Sequence, residues 1–172
     1  MKILITGAAG FIGSTLAEKL VNNNYTVIGI DSFEDYYPKK IKEHNIAQIV
    51  EKPNFRFIEC DVAHIPEKLL DDVEIVFHLA SQPGVRLSWG EKFDIYVRNN
   101  IAVTQALLER LKNVTSLKKI IYASSSSVYG TIQHLPLKES ATLQPLSPYG
   151  VTKLAAEHLF AAYSATWNIP VI

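Results

Sequence analysis

The sequence predicts an α/β domain, a doubly wound parallel sheet with helices on both faces. Three observations carry that prediction. Short apolar runs at 2–6, 25–30, 55–60, 74–80 and 119–123 read as buried strands. Helical patterns fall between them, so strand alternates with helix at intervals of roughly 25–30 residues, the rhythm of right-handed crossovers. A glycine-rich turn, Thr6-Gly7-Ala8-Ala9-Gly10-Phe11-Ile12-Gly13, joins the first strand to the first helix.

Gly7, Gly10 and Gly13 give the spacing GxxGxxG, a relative of the dinucleotide-binding fingerprint. Gly7 permits a sharp turn at the strand end, Gly10 lets a pyrophosphate approach the backbone, and Gly13 lets the helix lie close to the sheet. The helix N-terminus offers unpaired N–H groups and a positive dipole end to phosphates. Along residues 11–23, Ile12, Leu16 and Leu20 mark the face expected inward, and Asn22-Asn23-Asn24 stops the helix. The second strand ends at Asp31, 18 positions after Gly13, where a Rossmann unit places an acid on the adenosine ribose. Capping of a turn is the alternative role for that carboxylate. An acid here repels the 2′-phosphate of NADP and no Arg follows at once, so the expected cofactor is NAD, with Ser32 counted beside Asp31.

Residues 32–37 form an aromatic-rich loop and 38–50 a helix. The third strand closes with Asp61-Val62, which either holds the adenine edge or caps a helix. After the fourth strand, the small residues Ala80 and Ser81 let the cofactor pass close by. His78 has no companion at metal-ligand spacing, so it reads as a core histidine and no metal site is expected. Residues 91–112 read as one helix with Phe93, Val97, Ile101, Leu108 and Leu111 inward. Asn99 and Asn100 are poor helix formers there and hint at a polar task facing the cofactor. The fifth strand runs into Ser124-Ser125-Ser126-Ser127, 131–146 is a loop, and a sixth strand is expected near 168–172. Gly7, Asp31, Asp61, Ala80 and Ser125 all fall at strand C-terminal ends, the rim where such sheets bind ligands.

Seventeen basic residues against seventeen acidic ones, without a basic cluster, argue against a nucleic-acid partner. No apolar run approaches the ~20 residues of a membrane span. The single cysteine, Cys60, cannot form an internal disulfide and suits a cytoplasmic protein. At 172 residues the chain is expected to be a single domain, 1–172.

Ser147-Pro148 starts the last helix, with Ser147 as N-cap and Pro148 in the first turn. Tyr149 and Lys153 follow at i and i+4 and share a face. A phenol is a poor base at neutral pH, but a nearby ammonium and a positive nicotinamide stabilise the phenolate. Ser125, at the adjacent strand end, completes a set able to take a proton from a hydroxyl while hydride leaves its carbon.

In this order the motifs resemble the extended short-chain dehydrogenase/reductase family, the NAD-dependent epimerases and dehydratases of nucleotide sugars. The match covers Thr6–Gly13, Asp61-Val62, His78-Leu79-Ala80, Ser124–Gly130 and Tyr149–Lys153. Residues 31–37, 82–88 and 123–130 most resemble the UDP-glucuronate 4-epimerases. Ser81 departs mildly from the Ala common there. The resemblance implies NAD contacts from the Gly7–Gly13 turn (Phe11 and Ile12 included), Asp31, Ser32, Asp61, Val62, Leu79, Ala80, Ser81, Asn99, Tyr149 and Lys153. It implies catalysis by Ser125, Tyr149 and Lys153, and sugar contacts from Ser125, Ser126, Ser127 and Tyr149. Two hydroxyls at 126 and 127 suit a sugar carboxylate, where a dehydratase usually carries Asp-Glu. Arg86 is either a further carboxylate partner or a solvated loop cation. The implied reaction inverts C4 of a UDP-sugar, UDP-glucuronate above all, through a 4-keto intermediate. UDP-glucose epimerisation, dehydration, or NAD binding without turnover remain alternatives. Relatives are about twice as long and dimerise through helices corresponding to 91–112 and 147–168. A substrate-binding C-terminal domain is therefore expected to be missing, with apolar surface left open to self-association.

Overall fold

The computed structural model describes residues 1–131 and 135–172. Among these the sheet has five strands, all parallel: β1 (Lys2–Thr6), β2 (Thr26–Asp31), β3 (Phe55–Glu59), β4 (Ile75–His78) and β5 (Lys119–Tyr122). Their order is β3-β2-β1-β4-β5, so the chain reverses its winding between β1 and β4. That is the switch point where neighbouring crossovers leave on opposite faces and open a crevice. The expected sixth strand is reduced to a parallel bridge between Val171 and Ile120. Around it Ile120 N–H donates to Pro170 O at 2.7 Å, and Tyr122 N–H to Ile172 O at 3.0 Å.

Strand periodicity divides the core in two. Ile3, Ile5 and Val27 face α1 (Phe11–Asn22) and α2 (Lys39–Ile46), together with Ala17, Val21 and Ile46. Leu4, Ile28, Ile30, Val76 and Ile120 face the other layer, α4 (Val103–Leu111) and α5 (Pro148–Trp167), where Leu107, Leu108, Leu111 and Phe160 are buried.

Three expectations need correction. The inward stripe of α1 is Gly13, Ala17 and Val21, not Ile12, which is 67% exposed; Leu16 and Leu20 flank the contact, half-buried. Small residues let this helix approach so closely that a β-carbon on Gly13 would lie 2.1 Å from Gly7 O. The helix begun near 38 ends at Ile46 and continues as turns. The long helix of 91–112 is composite: a 3₁₀ turn, α3 (Phe93–Tyr96), a π turn (Val97–Ala102) and α4. Val97 on that stretch is exposed, whereas Tyr96 and Asn100 are buried.

Candidate active site

A cleft of about 330 Å³ lies at the C-terminal ends of the strands, within the range of small-molecule sites. Across the sheet its lining follows the strand order. Asp61 and Val62 come after β3, Asp31 and Ser32 end β2, Gly7, Gly10, Ile12 and Gly13 follow β1, and Leu79, Ala80 and Ser81 follow β4. Asn99 of the π turn and Tyr149 and Lys153 of α5 close the far side. Gly7 holds φ at +71°, and a β-carbon there would sit 2.8 Å from Ala80 N. Only glycine lets the β1 turn pass this close to the end of β4.

Five of the sequence candidates stand off this lining. Phe11 opens α1 with its side chain 81% exposed. Arg86 is exposed in the short turn Arg86–Ser88. Ser125 caps the turn Ser126–Val128, its hydroxyl accepting the Ser127 N–H at 3.2 Å. Ser126 is exposed and Ser127 half-buried in that turn. Of the four serines 124–127, the one on the cleft wall is Ser124, whose hydroxyl donates to Glu157. Sequence reasoning passed over Glu34, Tyr36, Tyr37, Lys42, Gln82 and Pro83, all on the wall. The aromatic run at 36–37 was the visible signal for that loop; nothing in the pattern marked Lys42.

Tyr149 is positioned by its neighbours before any ligand arrives. Its N–H donates to Ser88 Oγ at 3.0 Å, and the wholly buried Ser88 donates in turn to Val85 O at 2.7 Å. Its ring meets Tyr96 edge-on at 6.3 Å, while the Tyr96 hydroxyl donates to Gly84 O at 2.8 Å. Asn100 locks the same region. Its Oδ1 accepts from Gln82 N–H at 2.7 Å and Ser81 Oγ at 3.0 Å, and its Nδ2 donates to Gln82 O at 3.1 Å and Thr152 Oγ1 at 2.9 Å. The four bonds explain why a poor helix former is tolerated in the π turn, a feature frequent at functional sites.

Lys153 is 2% exposed and has no carboxylate within ion-pair distance among the described residues. Its Nζ lies 3.5 Å from Ser81 Oγ and 4.3 Å from the centroid of the Tyr122 ring. Burial lowers its pKa to about 8, and the Glu157 carboxylate one turn on pulls the other way. Below it His78 is a core residue, as its isolation in sequence indicated. Thr104 Oγ1 donates to Asn100 O at 2.8 Å and so accepts from Nε2–H of His78 at 3.0 Å. That leaves Nδ1 to accept from the Thr6 hydroxyl at 2.8 Å. Burial, and then the Lys153 charge, push the His78 pKa down to about 3, so the ring is neutral. The Tyr122 hydroxyl is buried without a partner among the described residues, and burial raises its pKa.

A strand-end glycine turn, an acid at the second strand and a Tyr-Lys pair thus line one crevice. The family model described as GDP-mannose 4,6 dehydratase matches residues 4–172. The chain belongs to that family. Among similar proteins, the uncharacterized UDP-glucose epimerase YtcB of Bacillus subtilis (strain 168) is 44% identical over 178 residues, covering 100% of this chain and 54% of the relative. UDP-glucuronate 4-epimerase 4 of Arabidopsis thaliana is 38% identical over 172 residues, covering 97% and 39%. The crystal structure of UDP-glucuronic acid 4-epimerase from Bacillus cereus in complex with UDP-glucuronic acid and NAD superposes with a TM-score of 0.96 at 48% identity. It covers 100% of this chain and 55% of the other. The chain thus spans about half the length of these similar proteins or less.

Proposed function

We propose that residues 1–172 form the NAD-binding domain of a nucleotide-sugar 4-epimerase acting on UDP-glucuronate. The observation that carries this reading is the convergence of the glycine turn, Asp31, Tyr149 and Lys153 on one cleft at the sheet's switch point. The relative from Bacillus cereus, with UDP-glucuronic acid and NAD bound, supports it at 48% identity.

The residues fit the dinucleotide. The turn at Gly7 brings the backbone next to Ala80 with no β-carbon between, and Asp31 stands on the same wall to receive ribose hydroxyls. NAD bound there supplies a reversible hydride acceptor. Tyr149, as phenolate, takes the proton of the sugar 4-hydroxyl and returns it after the 4-keto sugar has turned over. Lys153, buried on the same wall and cationic below about pH 8, would stabilise that phenolate and help hold the dinucleotide. Ser125 accepts a bond from Ser127 N–H but keeps its own proton, free to donate to the sugar oxygen. Ser126 and Ser127 face the C5 carboxylate, and Arg86 comes to it from its exposed turn. A homodimer would form through the helices near 91–112 and 147–168, where Val97, Val151 and Trp167 are exposed.

Calorimetric titration of NAD, followed by incubation with UDP-glucuronate and NMR of the products, tests the reading. NAD binding with UDP-galacturonate as product supports it; NAD binding without turnover favours a second reading, a cofactor-binding fragment, to which the half-length span of the chain gives weight. Absence of NAD binding removes both. Sedimentation of wild type and Val151→Asp tests the dimer.

A further inference from the structure

Asp31 is held from two sides: Oδ2 accepts Ala9 N–H at 3.1 Å and Oδ1 accepts Phe33 N–H at 2.8 Å. A third group reaches it from α2. Lys42 is only 6% exposed, lies on the cleft wall, and brings Nζ to 3.9 Å from Asp31 Oδ1. One ammonium proton goes to Glu34 O at 2.7 Å, and the charge rests 4.9 Å from the centroid of the Tyr37 ring. Its helix neighbour Lys39 points elsewhere, paired with Glu59 at 2.8 Å in solvent. A lysine so far out of water needs a counter-charge, and Asp31 is the carboxylate within reach. Glu34 on the same wall is matched by Arg98 at 2.8 Å. The ribose end of the cleft therefore carries two balanced pairs, with Asp61 as its remaining acid.

We infer that Lys42 is a specificity-determining residue for the cofactor: its ammonium offsets Asp31 at the adenosine ribose, so the site takes NAD but tolerates a 2′-phosphate. This rests on the cofactor reading above. A carboxylate alone repels a doubly charged phosphate. A neighbouring ammonium with two protons left over attracts it. The two influences oppose each other across less than 4 Å, and discrimination between the dinucleotides is correspondingly shallow.

Calorimetric titration of NAD and of NADP into the 172-residue chain tests this. NADP is expected to bind wild type about 10–50-fold more weakly than NAD, a gap of roughly one to two decades in Kd. Lys42→Met widens the gap about tenfold while NAD affinity moves less than about threefold, and Lys42→Arg restores it. Asp31→Asn narrows the gap, and does so less when combined with Lys42→Met. Should Lys42→Met unfold the chain, Lys42→Gln, which keeps a donor for Glu34 O, takes its place with the same expectation. An unchanged ratio, an equal loss for both dinucleotides, or a wild-type gap beyond about a thousandfold overturns the inference. Failure of wild type to bind NAD at all overturns the cofactor reading instead.

Discussion

The two ends of the cleft each contain a lysine withdrawn from water, and they solve the same electrostatic problem differently. Lys42, at the adenosine end, stands 3.9 Å from a carboxylate and donates to a carbonyl. Lys153, at the end proposed to be catalytic, has an aromatic face and a serine hydroxyl at 3.5 Å. Burial, opposed only in part by the Glu157 charge, brings its pKa to about 8. A paired lysine is a fixed feature of a binding surface, whereas one kept without an ion pair is poised near neutrality. That is the condition a proton-transfer site requires.

Chemistry gives the sharpest way to break this contrast. Tyr149→Phe should lower turnover of UDP-glucuronate by about 10³-fold or more while leaving NAD affinity within about threefold. Activity unchanged by the substitution would remove the phenol from the catalytic end.

Acid comes next, because His78 lies beneath Lys153. Its folded pKa of about 3 is below the unfolded value, so between pH 6.5 and pH 3 the unfolded chain binds a proton that the folded chain refuses. Stability should fall by up to several kcal/mol as pH drops through that window. Denaturant unfolding from pH 7 to pH 4 measures the slope, and His78→Gln should flatten it.

Lys153 gives the mirror-image window on the alkaline side. Below pH 8 both states are protonated and the folded state bears the full burial cost. Between about pH 8 and pH 10.5 the folded lysine loses its proton first, and stability should rise with pH. Lys153→Met should therefore stabilise the ligand-free chain near pH 7 by roughly 3 kcal/mol and abolish the alkaline slope, while eliminating turnover. A Met variant less stable than wild type at pH 7 would mean that the ammonium is not under strain.

The smallest effect belongs to the paired end. Asp31→Ala should weaken NAD by about tenfold and bring NADP level with it. A preference for NAD that survives the change would take Asp31 off the ribose.

Much of this was legible in the chain itself. The strand spacing and the turn from Gly7 to Gly13 anticipated the parallel sheet, and the strand-end residues Gly7, Asp31, Asp61 and Ala80 do share one wall. The pattern misled where small residues make the contact. On α1 the larger side chains suggested the stripe, but Gly13 and Ala17 are what lie against the sheet, leaving Ile12 in the cleft. A run of four serines gave no physical basis for separating Ser124, on the wall, from Ser125, which turns to cap the next turn. Lys42 sits among Lys39, Lys40 and Glu43, a neighbourhood that reads as solvated. Its burial depends on a loop folding over it, which no local periodicity records.

The π turn at Val97–Ala102 has a consequence for how this domain tolerates length changes. Removing one residue there would let the segment relax into ordinary α-helix, a local gain in regularity. Each residue of an α-helix advances by about 100°, so the excision would swing Tyr96 and Asn99 around the axis, taking the one off the Tyr149 ring and the other off the crevice wall. A deletion that improved the helix would thus empty one wall of the site.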